Sequence, residues 1–291
     1  MSVAEVIDDG WRAPARRPVE RHGSLRDWIE AGTHLRVDGQ GPALVLIHGV
    51  GLDLAMWDGM VPLLARDYTV VRYDMLGHGA SAKPPGQRSL GDFQRQLTAL
   101  VDYLEIERAA VVGFSMGALV AQAFALAEPD RLARLVLMNG VYDRPPQARE
   151  AVGARLAQAE ADGPAANVAP ALARWFTDDF AKTRPEVLAG VRARLESNDK
   201  RGFLAAYRVF ATADAELAGR LGDISAPTLV MTADGDTGST PVMTVAMATA
   251  IPGARSTVLK DLRHMAPVEA PDLVADLLSA FLSGREHAAI V

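Results

Sequence analysis

Five short apolar runs, each closed by turn-forming residues, set the rhythm of this 291-residue chain. They are ALVLIHG (43–49), YTVVRYD (68–74), AAVVGFS (109–115), RLVLMNG (134–140) and PTLVMTAD (227–234). Each run is nearly continuous in apolar character rather than alternating, which is the pattern of parallel strands covered on both faces. Helical patterns lie between them. LAMWDGMVPLLARD (54–67), LGDFQRQLTALVDYLEI (90–106) and GALVAQAFALAEPDRL (117–132) each separate two strands, and the second sets Leu90, Phe93, Leu97, Leu100, Val101 and Leu104 at helical spacing. Alternating strands and helices predict an α/β fold with a mostly parallel central sheet of about eight strands flanked by helices. Two earlier runs, DWIEA and THLRVDG, alternate with polar residues and predict an antiparallel start to the sheet, paired through Gly32.

The alternation stops after Gly140. Residues 141–222 hold Ala, Arg, Leu and Glu in long helix-forming stretches and show no strand pattern, and strand logic resumes at Pro227. The expected organisation is an N-terminal extension (1–23), an α/β core (24–140 and 223–291) and a helical lid inserted between neighbouring strands (141–222).

Composition narrows the function classes. Hydrophobic residues make up 49% of the chain, enough for a large core. The net charge of −6 and the absence of a basic stripe argue against nucleic-acid binding. No stretch approaches the roughly 18–20 apolar residues of a membrane span, and the N-terminus lacks the apolar segment of a signal peptide. The chain has no cysteine, which excludes disulfides and thiolate chemistry. A cytoplasmic protein acting on a small molecule is the expectation, with neither nucleic acid nor membrane as partner.

The candidate chemistry sits at Gly113-Phe114-Ser115-Met116-Gly117, a G-x-S-x-G motif between a strand pattern and a helix pattern. This is the context of a nucleophile elbow, in which a strained serine is held on a sharp turn. A serine hydroxyl needs a base, and the base needs an orienting carboxylate, here expected in the order Ser, Asp, His. Asp236 lies 121 residues after Ser115, beyond the end of a strand, and His264 follows 28 residues later in a loop after the apolar run STVLKDL. Asp234 is the alternative acid. The backbone N–H groups of Val50, in the loop LIHGVGLDLAMW, and of Met116 are the candidate oxyanion donors. The same glycine loop fails as a nucleotide-binding fingerprint, because Leu54 stands where the third glycine belongs. No metal-ligand spacing and no cofactor motif is present.

These stretches together resemble the α/β-hydrolase family over residues 28–140 and 223–284. The turn Asp74, Gly77, His78, Gly79 and Ser81 is similar to the family's D-x-x-G-H-G-x-S segment, in which His78 and Ser81 would shape structure rather than perform chemistry. GFSMG resembles the elbow, PTLVMTADGD the acid strand and RHMAPVEAPD the histidine loop. One departure is Ala233, where family members often carry glycine three residues before the acid. Serine rather than aspartate at the elbow sets the chain in the serine branch, apart from haloalkane dehalogenases and epoxide hydrolases.

Within that branch, RWFTDDFAKTRPEV (174–187) and LIHGVGLDLAMWDGMVPLL resemble 3-oxoadipate enol-lactonases. The resemblance implies a cofactor-free serine hydrolase of an ester or lactone. Arg174, Lys182 and Arg144 are candidate cations for a substrate carboxylate, and Trp175 is a candidate substrate contact. Carbon–carbon bond hydrolysis of a dienoic or β-diketone substrate is an alternative, as is cofactor-free haloperoxidase or perhydrolase activity. A receptor on a hydrolase scaffold is the non-enzymatic one.

Overall fold

The computed structural model describes residues 28–29 and 32–290, so the expected extension at 1–23 lies outside the described residues. An eight-stranded sheet forms the centre, in the order β1-β2-β4-β3-β5-β6-β7-β8. β1 (Trp28–Ile29) and β2 (Thr33–Asp38) pair antiparallel across Gly32, and β2 runs antiparallel to β4 (Thr69–Tyr73). From there every pairing is parallel: β4 with β3 (Ala43–Ile47), then β5 (Ala109–Phe114), β6 (Leu132–Met138), β7 (Thr228–Ala233) and β8 (Arg255–Leu259).

The continuous apolar runs reflect two cores, one on each face. Along β3, Val45 and Ile47 join one cluster while Leu44 and Leu46 join the other; along β5, Val111 faces the first and Val112 and Phe114 the second. Successive side chains of a strand point to opposite faces, so a strand buried on both needs an apolar residue at every position. All six residues of β5 are buried, as the central strand of such a sheet requires.

α2 (Leu90–Tyr103) and α3 (Met116–Ala127) cover the first face. The second face is covered by α1 (Val61–Leu64) and, from the C-terminal part, α11 (Pro271–Leu282). A capping box between Ser89 and Asp92 starts α2. The single helix that the pattern predicts over 54–67 is broken into a 3-10 turn at Leu54–Trp57 and the short α1. Asp53 caps the turn through Ala55 N–H, and Pro62, which has no N–H to donate, suits only the first turn of a new helix.

Between β6 and β7 the chain runs through α4 (Pro146–Asp162), α5 (Val168–Trp175), α6 (Asp178–Thr183), α7 (Pro185–Glu196) and α8 (Lys200–Leu217), with no strand among the described residues. α9 (Pro241–Ala250) joins β7 to β8, and the short α10 (Ala266–Glu269) precedes α11. The insertion is anchored: α8 packs on α3 and buries Phe203, Leu204, Ala206 and Val209 in the first core.

The Asp74–Ser81 segment is a structural turn. The Asp74 carboxylate accepts from the N–H groups of Leu54 and Ala80, both at 2.8 Å, and meets His34 Nδ1 at 2.8 Å. Ser81 Oγ donates to Asp74 O, and His78 is fully buried with its ring edge-on to His48 at 5.0 Å. No helix of the described residues is long and apolar enough to cross a membrane.

Candidate active site

Ser115 stands between the last residue of β5 and the first of α3, at φ 55° and ψ −113°. A positive φ at a residue with a Cβ is strained by about 1–3 kcal/mol and persists only where its surroundings enforce it. Sterics supply that enforcement. A Cβ on Gly113 would come within 2.2 Å of Gly117 O, and one on Gly117 within 2.5 Å of Ile47 O, so both motif glycines are needed for α3 to turn this tightly against the sheet. Ser115 N–H is held by Met138 O at 2.9 Å, and the residue is 5% exposed.

Past β7, Asp236 turns inward while Asp234 faces solvent. Asp236 Oδ2 lies 2.6 Å from His264 Nδ1 and accepts from Asn139 Nδ2 at 2.8 Å; its Oδ1 accepts from the N–H groups of Gly238 and Ser239. Burial alone would push the Asp236 carboxyl up, but His264, Asn139 and the Ser239 N–H outweigh it and hold the group below the usual carboxylate range. An ionised Asp236 fixes the tautomer of His264 with Nδ1 protonated, which leaves Nε2 as the basic nitrogen. The His264 ring packs against Phe114, the residue before Ser115, at 4.9 Å, and against Trp175 at 5.6 Å. The structure therefore brings Ser115, Asp236 and His264 to one end of the sheet, at the carboxyl ends of β5 and β7 and the loop after β8.

The glycine loop after β3 arrives at the same place. A Cβ on Gly49 would lie 3.2 Å from Ser115 Cβ, which puts the following Val50 at the elbow. Val50 N–H has no acceptor among the described residues, and Met116, as the first residue of α3, has an N–H that the helix itself cannot satisfy. Asn198 Nδ2, from the α7–α8 corner, donates to Gly51 O at 2.8 Å and braces this loop from the insertion side.

Helices of the insertion roof a cavity over the site. It is lined by Val50 from the glycine loop, by Trp175 and Arg174 from α5, by Arg155 from α4 and by Phe203 and Tyr207 from α8. Two sequence candidates thus line it, Arg174 and Trp175. Arg144 does not: this expectation is corrected, because its guanidinium is buried against Asp214 at 2.7 Å, donates to Phe210 O and stacks on the Phe210 ring at 4.5 Å. Lys182 is exposed in the last turn of α6, away from the cavity. The insertion is latched to the histidine loop. Arg263 Nη1 donates to Ala173 O and Phe176 O, Met265 N–H donates to Trp175 O at 2.9 Å, and Thr177 Oγ1 bonds Glu269.

Residues 42–271 match the profile of the alpha/beta hydrolase fold family. The chain belongs to the α/β-hydrolase family. It is 34% identical over 251 residues to (E)-2-((N-methylformamido)methylene)succinate hydrolase of Acinetobacter baylyi, covering 86% of this chain and 93% of that one. It is 31% identical to 3-oxoadipate enol-lactonase 2 of the same organism, over 70% of this chain and 74% of that one. Among solved structures, the enol-lactonase from Burkholderia xenovorans LB400 superposes with a TM-score of 0.80 at 33% identity, covering 86% of this chain and 96% of that one. Among the described residues of this α/β-hydrolase, no group of three or more His, Asp or Glu is placed to hold a metal ion.

Several site residues carry no signal in the sequence pattern. Asn139 ends an apolar strand and reads as a turn residue, Arg155 and Tyr207 lie in helices whose faces one sequence does not orient, and Asn198 lies in the corner between α7 and α8. Only the pairing of β6 with β7 brings Asn139 to Asp236, 97 residues away.

Proposed function

We propose that this α/β-hydrolase cleaves an ester or lactone of a small organic substrate through an acyl-enzyme on Ser115. One observation carries the reading: the buried Asp236–His264 pair, 2.6 Å apart, with the histidine ring packed on Phe114, the residue before a serine held in a strained elbow. His264 Nε2 takes the Ser115 proton as Oγ attacks the carbonyl carbon, and the carbonyl π electrons move onto its oxygen. The N–H groups of Val50 and Met116 stabilise that oxyanion. As the tetrahedral intermediate collapses, the carbon–oxygen bond breaks and His264 passes its proton to the alcohol or enol that leaves. Water, deprotonated by His264, then attacks the acyl-enzyme and releases the acid and free Ser115. Asp236 holds the imidazole orientation and stabilises its cationic form. None of these steps calls on a metal or an organic cofactor.

The helices between β6 and β7 serve as a lid in this reading, with Trp175 contacting both His264 and the substrate. The relatives named an enol-lactonase and a methylene-succinate hydrolase support small acyl substrates over lipids or peptides. The test is a panel of p-nitrophenyl esters, small lactones and ring-cleavage dienoates. Turnover of esters or lactones by the wild type, lost in Ser115→Ala, is expected. Turnover of the dienoate alone, giving a ketone or dienoate product with an acid, would replace ester cleavage by carbon–carbon bond cleavage.

A further inference from the structure

The cavity above the site has an unusual charge balance. Two arginines, Arg155 and Arg174, line it, and among the described residues no acidic side chain does, in a chain whose net charge is −6. Most other arginines of the insertion are paired with carboxylates: Arg144 with Asp214, Arg149 with Asp143, Arg184 with Glu186, Arg192 with Glu196, Arg194 with Asp53 and Arg208 with Glu160, while Arg201 and Arg220, which have no such pair among the described residues, are exposed to solvent. Among the described residues neither Arg155 nor Arg174 has a carboxylate partner. The two sit on different helices, α4 and α5, and are half-buried. Burial, and next the neighbouring Arg155 cation, hold the Arg174 guanidinium below its ordinary range. Two like charges brought together in a half-buried cavity are unfavourable without a counter-ion.

The donors converge. Arg155 Nε donates to Tyr207 Oη at 3.2 Å, which fixes the plane of its guanidinium, and neither terminal nitrogen has a hydrogen-bond partner among the described residues. Tyr207 Oη accepts that bond, and its own hydrogen has no acceptor among the described residues. Tyr207 is itself held between Phe203 and Phe210. The same cavity reaches Val50 of the glycine loop and Trp175, whose ring packs on His264, so it runs from the flank of the candidate active site to these donors.

We propose that Arg155, Arg174 and Tyr207 form an anion subsite that holds a carboxylate of the substrate remote from the bond cleaved, and that this subsite selects acyl substrates by charge. The inference rests on the acyl-transfer reading above. Guanidinium groups are suited to this task because their planar donors match the two oxygens of a carboxylate. The bound carboxylate neutralises the repulsion between the two arginines and ties α4, α5 and α8 together over the substrate.

The experiment compares kcat/KM for p-nitrophenyl hemiglutarate with that for neutral p-nitrophenyl valerate, of similar length. The wild type is expected to favour the anionic ester. Arg155→Gln and Arg174→Gln should each lower that preference about tenfold, mainly through KM for the hemiglutarate, and Arg174→Lys should restore part of it. Arg192→Gln, which alters an exposed charge of the same insertion, should leave the preference in place. Equal preference in the wild type and both glutamine variants would overturn the proposal, as would an equal drop in Arg192→Gln. A second readout is independent of turnover: glutarate should raise the Tm of Ser115→Ala, and the added double substitution Arg155→Gln/Arg174→Gln should abolish the rise. A glutarate-induced rise with no esterase activity would keep the subsite and discard the acyl-transfer reading. No rise in Ser115→Ala, or an undiminished one in the triple variant, would discard the subsite.

Discussion

Asn139 Nδ2 donates to Asp236 Oδ2 at 2.8 Å, the same oxygen that meets His264 Nδ1. Asn139 stands at the end of β6 with φ 47°, a left-handed conformation that asparagine tolerates better than most residues, and its carbonyl accepts from Ser239 Oγ. The acid loop is therefore held from the neighbouring strand, at the oxygen used by the histidine.

Removing that bond should cost activity more than fold. A hydrogen bond to a charged group contributes about 1.5–3 kcal/mol, so Asn139→Ala should lower kcat roughly tenfold to a hundredfold. Asn139→Asp, which sets a second carboxylate against Asp236, should lower it further near neutral pH. Steady-state kinetics on whichever ester the substrate panel identifies would check both, and an unchanged kcat in Asn139→Ala would remove Asn139 from the positioning of the acid.

The choice between the two aspartates has a direct kinetic consequence. Asp236→Asn keeps the size of the side chain but loses its charge and permits the wrong imidazole tautomer, so kcat should fall on the order of 10³–10⁴-fold. Asp234 is exposed and makes no contact with His264, so Asp234→Asn should stay within about threefold of wild type. The opposite pair of results would move the acid to Asp234.

The strain at Ser115 predicts a stability difference between two inactive variants. Glycine relieves the positive φ that alanine retains, against an entropic loss of about 0.5–1 kcal/mol. Ser115→Gly should thus be more stable than Ser115→Ala by about 1 kcal/mol in urea unfolding. Equal stabilities would mean that the elbow stores no strain.

Acid stability should decline well above the carboxylate range. Burial, then the charge of His48, pushes His78 down to about 3, and burial lowers His48 as well. In the unfolded chain a histidine takes its proton near pH 6.5. As the pH falls from about 6.5 toward 3, the unfolded state therefore binds protons that the folded state refuses, and His78 alone removes up to about 1.4 kcal/mol per pH unit. Asp236, held below its ordinary range, adds stability that is complete above about pH 4 and is lost only below it. Urea unfolding between pH 4.5 and 8 should show the decline, with a shallower slope in His78→Gln. A stability flat from pH 8 to 4.5 would contradict this account.

Much of this architecture is legible in the sequence because its signals are local. The runs at 43–49 and 109–115 are apolar at every position since both faces of β3 and β5 are covered, and Gly113 and Gly117 mark the elbow by a steric need that no other residue meets. The pattern is less informative where tertiary contacts decide. Arg144 and Arg174 look alike in sequence, yet only Arg144 folds against Asp214, 70 residues away. The break in the helix at 54–67 is written in Asp53 and Pro62, but the surrounding apolar spacing masks it. Arg155 and Tyr207 come to line one cavity with Arg174 only once the chain folds, being 52 residues apart in sequence and on different helices.

The central claim is that Ser115 is the nucleophile, activated by His264 and oriented by Asp236. The most direct measurement is intact-protein mass after treatment with a fluorophosphonate probe, with the modified residue located by peptide sequencing. One adduct per chain on Ser115 is predicted, absent in Ser115→Ala and greatly slowed in His264→Ala. An adduct on another residue, or labelling of Ser115→Ala at the wild-type rate, would contradict the account.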